Sequence, residues 1–178
     1  MKLIVGLGNP ETRYARSRHN AGWIYLDFLA RQGPFASWQD SNKFHANIAR
    51  GHLAGTDILL AQPTTHMNDS GSAVEALMNF YQFELTDFLL VYDDLDLTFG
   101  TYKLTDHSPH THNGVASVKS HLPTSAEFLQ LRLGVDDRAG ERQIPPMDYV
   151  LMPLSPDQLN TWEKETFPTA TREVESWL

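Results

Sequence analysis

Two short runs, Leu3–Leu7 and Phe88–Tyr92, consist of aliphatic, glycine and aromatic residues without a charged side chain. A strand that is apolar on both faces has to be covered on both faces, as in parallel sheets flanked by helices. Amphipathic segments alternate with these runs. Ala21, Ile24, Tyr25, Phe28 and Leu29 keep to one helical face and predict a helix that starts near Asn20 and ends at Gly33-Pro34. Ser70-Gly71-Ser72 leads into Ala73, Leu77, Phe80 and Tyr81, a second helix, Val115–Leu122 reads as a short third, and an amphipathic helix runs from Gln158 onward. Phe44–Ala49 and Ile58–Ala61 read as strands paired around the Gly55-Thr56-Asp57 turn, with further strands at Tyr102–Leu104 and Phe128–Val135. This alternation predicts an α/β fold: a single domain over residues 1–178, with a twisted, mixed but mostly parallel β-sheet and helices on both faces. No repeat or low-complexity linker marks a second domain.

A chain of 178 residues is long enough to bury roughly 70% of the surface its unfolded form exposes, so no metal or disulfide is needed to hold the core. Cysteine is absent, which excludes a disulfide framework, thiolate zinc sites and a cysteine nucleophile, and is compatible with a reducing compartment. The sequence starts directly on a strand-like run, without the charged start and apolar stretch of a secretory signal, and a cytoplasmic protein is expected. Its formal charge of −8, from 14 basic and 22 acidic side chains, argues against a broadly basic nucleic-acid-binding surface. The charge is uneven: residues 136–178 carry net −5, whereas Arg13, Arg16 and Arg18 crowd beside His19 as a local basic patch.

In open α/β sheets, ligands bind beyond the carboxyl ends of the strands. Asn9 follows the first strand, Asn68 lies shortly after the strand ending near Gln62, and Asp93 closes the run Phe88–Tyr92, so all three are expected on one rim. A histidine followed by asparagine occurs at His19-Asn20 and again at His112-Asn113; either pair alone also fits an ordinary loop. His19 is the candidate general base, and Asp93 the carboxylate that would fix its tautomer and stabilise the imidazolium. With no Gly-x-Ser-x-Gly elbow and no cysteine, the expected nucleophile is a water molecule activated by His19. The carboxamides of Asn9, Asn68 and Asn113 suit a peptide-like backbone or a developing oxyanion. Four histidines, His107, His110, His112 and His121, fall within fifteen residues, and the first three offer an alternative reading as ligands of one metal ion. Pro109 makes that stretch a loop, and no pair has helical i, i+4 spacing, so no metal site is expected. Gly6-x-Gly8 lacks the third glycine of a dinucleotide fingerprint and its helix starts too late; no cofactor is expected.

Taken together, these segments resemble the bacterial peptidyl-tRNA hydrolase family. The resemblance is carried by Val5-Gly6-Leu7-Gly8-Asn9-Pro10 with Tyr14 and Arg18-His19-Asn20-Ala21-Gly22, by Gln62-Pro63-Thr64-Thr65-His66-Met67-Asn68 with Ser70-Gly71, by Asp93-Asp94-Leu95-Asp96-Leu97 with Gly100, by His112-Asn113-Gly114 and by Tyr149-Val150-Leu151. It implies a monomeric, cofactor-free hydrolase that cleaves the ester between a peptide and the terminal ribose of tRNA. His19 would be the base, Asp93 its partner and Asn9 a further catalytic group. Tyr14, Met67, Asn68, His112 and Asn113 would bind the peptide, and Lys103, Arg132 and Arg18 the tRNA.

The chain also departs from the family pattern. The glycine-rich approach to the second His-Asn is replaced by Asp106-His107-Ser108-Pro109-His110-Thr111, where Pro109, His110 and Thr111 should stiffen and crowd the loop. Thr105 and Asp106 stand where the family tends to carry cations, Asp136-Asp137 follow the later strand, and the last stretch of the sequence is acidic where the family is expected to be basic. Each lost phosphate contact weakens tRNA binding and flattens its salt dependence. Two alternatives therefore stay open: the same hydrolytic apparatus acting on another peptidyl or acyl ester, and a non-catalytic binding module on the same fold.

Overall fold

The computed structural model describes residues 1–178 apart from 108–111, 124–126 and 141–142. Seven strands form one sheet: β1 (Lys2–Gly6), β2 (Gln39–Ser41), β3 (Ala46–Leu53), β4 (Thr56–Pro63), β5 (Phe88–Thr98), β6 (Tyr102–Thr105) and β7 (Leu129–Asp136). Their order across the sheet is β2-β3-β4-β1-β5-β7-β6. β4, β1, β5 and β7 are parallel neighbours, and antiparallel β3, β2 and β6 complete the two sides. The mixed, centrally parallel sheet is the one the apolar runs predict.

Strand alternation sorts the side chains into two cores. Ile4, Leu89, Val91, Leu131 and Leu133 point to one face. There they meet Tyr25, Phe28 and Leu29 of α1 (Ala21–Gln32) and Phe167, Ala170 and Val174 of α6 (Phe167–Trp177). Leu3, Val5, Leu59, Leu90 and Tyr92 point to the other, against Val74 and Leu77 of α2 (Ser70–Tyr81) and Val115 and Val118 of α3 (Asn113–His121). Short helices α4 (Pro146–Leu151) and α5 (Pro156–Thr161) lie between β7 and α6, and a π-helical turn at Trp162–Thr166 joins α5 to α6.

The differences from the sequence reading have local causes. The final helical region begins earlier, at Pro156, because Ser155 and Gln158 form a reciprocal capping box. β5 runs on to Thr98 because Asp94-Leu95-Asp96-Leu97 alternates polar and apolar residues where the strand leaves the core, and Thr98 still pairs with Asp136. α4 is preceded by Pro145 at its N-cap, and Pro146 occupies its first turn, where its missing N–H costs nothing. Among the described residues no helix is long and apolar enough to cross a membrane.

The parallel strands end on one rim, and α1 is pressed onto it. Leu7 N–H donates to Val91 O at 2.8 Å, extending the β1–β5 pairing to the last residue of the core. A Cβ on Gly22 would lie 2.4 Å from both Leu7 N and Val91 O, so only glycine lets the start of α1 touch both strand ends. We expect Gly22→Ala to destabilise the protein by about 1–3 kcal/mol, the usual range for overpacking a rigid contact. Urea unfolding checks this, and an unchanged midpoint would mean the contact relaxes freely.

Candidate active site

His19 belongs to a single 3-10 turn, Arg18–Asn20, that runs directly into α1. Both of its neighbours are buried anchors. The Asn20 side chain clamps the strand-end loop: Asn9 N–H donates to Asn20 Oδ1 at 2.9 Å, and Asn20 Nδ2 donates to Asn9 O at 3.0 Å. On the other side, the Arg18 guanidinium donates to Val135 O, Met152 O and Pro153 O and to the Asp137 carboxylate, with its carbon 4.5 Å from the Tyr149 ring centre. Between these anchors the imidazole is aimed at the end of β5.

His19 Nδ1 lies 2.9 Å from Asp93 Oδ1 and 3.0 Å from Oδ2. Asp93 Oδ1 is also 2.9 Å from His112 Nε2. His112 caps α3, its Nδ1 accepting from Gly114 N–H and Val115 N–H at 3.2 and 3.4 Å. A nitrogen that faces two N–H groups carries no proton, so in a neutral ring the proton of His112 sits on Nε2 and is donated to Asp93. Asn9 Oδ1 accepts from Met67 N–H at 3.2 Å, which leaves the Asn9 amino group as its free donor end.

These groups open onto a cavity of about 530 Å³ lined by Asn9, His19, Asp93, Asp96, His112 and Asn113 on its polar side. Its other wall is apolar: Ile144, Pro146, Met147, Val150 and Leu151, with Arg138 beside them. Sequence reasoning missed this wall and the Asn20 clamp. The signals were present in Asn20, the neighbour of His19, and in Tyr149-Val150-Leu151, but nothing local in the sequence says that α4 folds back over residue 93.

Other expected residues sit differently. Met67 is buried in the α2–α3 core. Asn68 and the half-buried Tyr14 stand outside the cavity lining, Asn68 exposed on the turn Met67–Asp69 and Tyr14 beneath the Arg13 guanidinium. Lys103 is exposed on the edge strand β6. Arg18 and Arg132 correct the expectation of phosphate contacts. Both are about 5% exposed or less, Arg18 held as above and Arg132 Nε donating to Asp94 Oδ2. Alternation along β5 puts Asp93 on the α1 face and Asp94 on the opposite face with Arg132, so the two adjacent aspartates serve different partners.

Among the described residues, two groups have ligand atoms within 4.8 Å of one another, the spacing a metal ion needs: His19, Asp93 and His112, and the exposed Asp106, His107 and Glu127. In the first, His112 presents a proton rather than a lone pair to Asp93, which suits hydrogen bonding and not coordination. His107 and His112 belong to separate groups and so do not converge on one ion as the metal alternative requires. His110, like Ser108, Pro109 and Thr111, lies outside the described residues.

Electrostatics follow from burial and pairing. Burial alone would lower the pKa of His19, but the charge and hydrogen bond of Asp93 outweigh it and raise the value above the ordinary 6.5. Burial pushes Asp93 up, and His19 and His112 against it pull it down further, so its carboxyl is held well below the usual carboxylate range. The raised histidine contributes stability that is complete below about pH 6.5 and is lost as pH rises through its folded value. The depressed aspartate contributes stability that is present above about pH 3.9 and is lost as pH falls. We therefore expect the stability difference between wild type and Asp93→Asn to be largest between about pH 4 and 6.5 and to narrow on both sides. Urea unfolding across pH measures it, and a difference that is flat with pH would mean no such pair. Arg18→Met should cost about 2–3 kcal/mol, from lost hydrogen bonds to a charged group, measured in the same way.

A histidine–carboxylate pair at the carboxyl rim of a sheet, opening onto a cavity lined by amide side chains, has the geometry to activate a water molecule for hydrolysis. The comparisons agree. A family model described as peptidyl-tRNA hydrolase matches residues 3–178. The peptidyl-tRNA hydrolase of Lactiplantibacillus plantarum is 38% identical over all of this chain and 93% of its own length. That of Chloroflexus aurantiacus is 43% identical over 89% of this chain and 82% of its own. The crystal structure of peptidyl-tRNA hydrolase from Acinetobacter baumannii superposes with a TM-score of 0.81 at 30% identity, covering 99% of this chain and 85% of that one. The chain belongs to the peptidyl-tRNA hydrolase family.

Proposed function

We propose that this protein hydrolyses the ester that joins a peptide to the 3′-terminal ribose of tRNA, releasing free tRNA and peptide. The observation that carries the mechanism is the His19–Asp93 pair at 2.9 Å beside an open cavity. With Nδ1 bonded to Asp93, Nε2 of His19 is the ring nitrogen that takes a proton from water. The hydroxide attacks the ester carbonyl, and Asp93 stabilises the imidazolium that forms. As the tetrahedral intermediate collapses, the carbonyl–oxygen bond to the ribose breaks and the imidazolium returns its proton to the leaving oxygen. An ester leaving group needs no stronger nucleophile than activated water.

The amino end of Asn9 is the donor for the developing oxyanion, a task typically worth about 3 kcal/mol of barrier. Asn113, on the first turn of α3, and Asn68, beyond the cavity, grip the peptide backbone, with Tyr14 along the path and Met67 as packing beneath Gly114. Lys103 supplies the phosphate contact, since Arg18 and Arg132 are committed to internal carboxylates. The substrate arises during translation, which supports the cytoplasm as its place of action.

The test is release of tRNA from peptidyl-tRNA by the purified protein, with a short peptidyl ester assayed in parallel. We expect cleavage of peptidyl-tRNA, reduced about 100- to 10,000-fold in His19→Ala, the range for loss of a general base. Cleavage of the short ester alone would select the other acyl-ester reading, and no His19-dependent cleavage of either would end the hydrolytic one. Lys103→Ala should weaken tRNA binding and reduce its log–log salt slope by about 1; an unchanged slope would remove Lys103 from the interface.

A further inference from the structure

His112 touches both the catalytic pair and the backbone of α3, and hydrolysis by His19 and Asp93 does not by itself need a second histidine. Helix N-caps are ordinarily Ser, Thr, Asp or Asn, whose short side chains accept from the first-turn N–H groups. Here a larger ring does that task with Nδ1 and has a second nitrogen left over. The cap dictates the tautomer, and the tautomer dictates that Nε2 donates to Asp93 Oδ1. The ring is wedged in place, 5.0 Å from the Tyr92 ring and 4.9 Å from the His19 ring between centres, and its side chain is 10% exposed. Tyr92 is itself tied to Gln130 Oε1 at 2.8 Å. The donor that meets Asp93 is therefore fixed by a helix and by two packed rings.

We infer that His112 is a positioning residue: it acts on the reaction through Asp93, by locking the carboxylate onto His19 Nδ1 and drawing off part of its negative charge, and not by holding the peptide. This rests on the hydrolytic reading above and goes beyond it by moving His112 from the substrate side of the cavity to the base. Two consequences follow. A carboxylate held at one oxygen by His112 cannot rotate away from His19, which keeps the reactive ring in register between turnovers. A carboxylate that already accepts a hydrogen bond attracts the imidazolium less strongly, so His112 limits how far Asp93 raises the basicity of His19. The other charged or titratable groups near the trio are Asp94 with its partner Arg132, Asp96 and Arg138 in the cavity lining, and the Tyr92 phenol, which donates to Gln130.

The experiment separates the cap from the donor. His112→Ser and His112→Asn both restore a preferred cap and lack the donated Nε2–H, whereas His112→Ala lacks both. Each is compared with wild type in thermal unfolding, in kcat and KM for peptidyl-tRNA, and in the pH dependence of kcat/KM. We expect the Ser and Asn variants to lose less stability than His112→Ala, to lose kcat about tenfold, as for one hydrogen bond to a charged group, and to keep KM within about twofold. Their acid limb should move to higher pH, because a carboxylate freed of one donor holds the proton on His19 more tightly. A raised KM with unchanged kcat and an unmoved acid limb would place His112 on the peptide and overturn the inference. Unchanged kcat and an unmoved acid limb in the Ser and Asn variants, with Tm lowered most in His112→Ala, would reduce it to a cap and also overturn it. Side-chain nitrogen NMR of the wild type gives an answer independent of activity: His112 should show a proton on Nε2 and none on Nδ1 at neutral pH. A proton on Nδ1 would sink the inference even if peptidyl-tRNA is cleaved as proposed, while an inactive wild type would sink the hydrolytic reading and leave this tautomer to be read from the spectrum.

Discussion

A carboxylate buried at the end of a core strand is the constraint around which the rest of the site is arranged. Asp93 is 3% exposed and stands directly after four apolar residues and Tyr92 in β5. An isolated charge there would be driven to protonate. It stays ionised because two imidazoles, delivered by elements on opposite faces of the sheet, hydrogen-bond it. The turn before α1 brings His19 from one face and the start of α3 brings His112 from the other, so the position of Asp93 sets where both helices must begin.

That requirement reaches outward through the packing. α1 can start where it does because Gly6 and Gly22 let helix and strands touch, a Cβ on Gly6 lying 2.4 Å from Gly22 O. The turn that holds His19 is pinned by Asn20 to the β1 loop and by Arg18 to the chain after β7. Arg18 therefore does its work by burial. Its cluster with Asp137 and Tyr149, whose ring centre is 4.5 Å from the Arg18 guanidinium carbon and 4.4 Å from that of Arg138, ties α4 to the turn and so sets the apolar part of the cavity lining. Chemistry and scaffold share residues here, which is why a single short motif, Arg18-His19-Asn20-Ala21-Gly22, contains an ion-pair anchor, an imidazole, an amide clamp and a close-contact glycine.

Much of this was legible in the sequence. Apolar runs predict β1 and β5, the spacing of Ala21, Ile24, Tyr25 and Phe28 predicts α1, and the carboxyl-end rule places Asn9 and Asp93 on one rim, where both line the cavity. What was not legible depends on distant partners. A charge in a sequence does not reveal whether it is paired, and the carboxylates that occupy Arg18 and Arg132 lie 119 and 38 residues away. The three-residue β2 is too short to show a period, and α4 is only six residues long and begins with a proline. Nothing in the sequence shows how the His112 ring turns, because a histidine beside an asparagine looks alike either way; the cap on α3 fixes its tautomer.

The account stands on an ionised Asp93 bonded to His19. The most direct measurement is the NMR titration of the His19 ring in wild type and in Asp93→Asn. The account predicts a midpoint above 6.5 in the wild type that falls below that value in the variant, where burial acts unopposed. A wild-type midpoint at or below the ordinary histidine value, unmoved by the substitution, would contradict it.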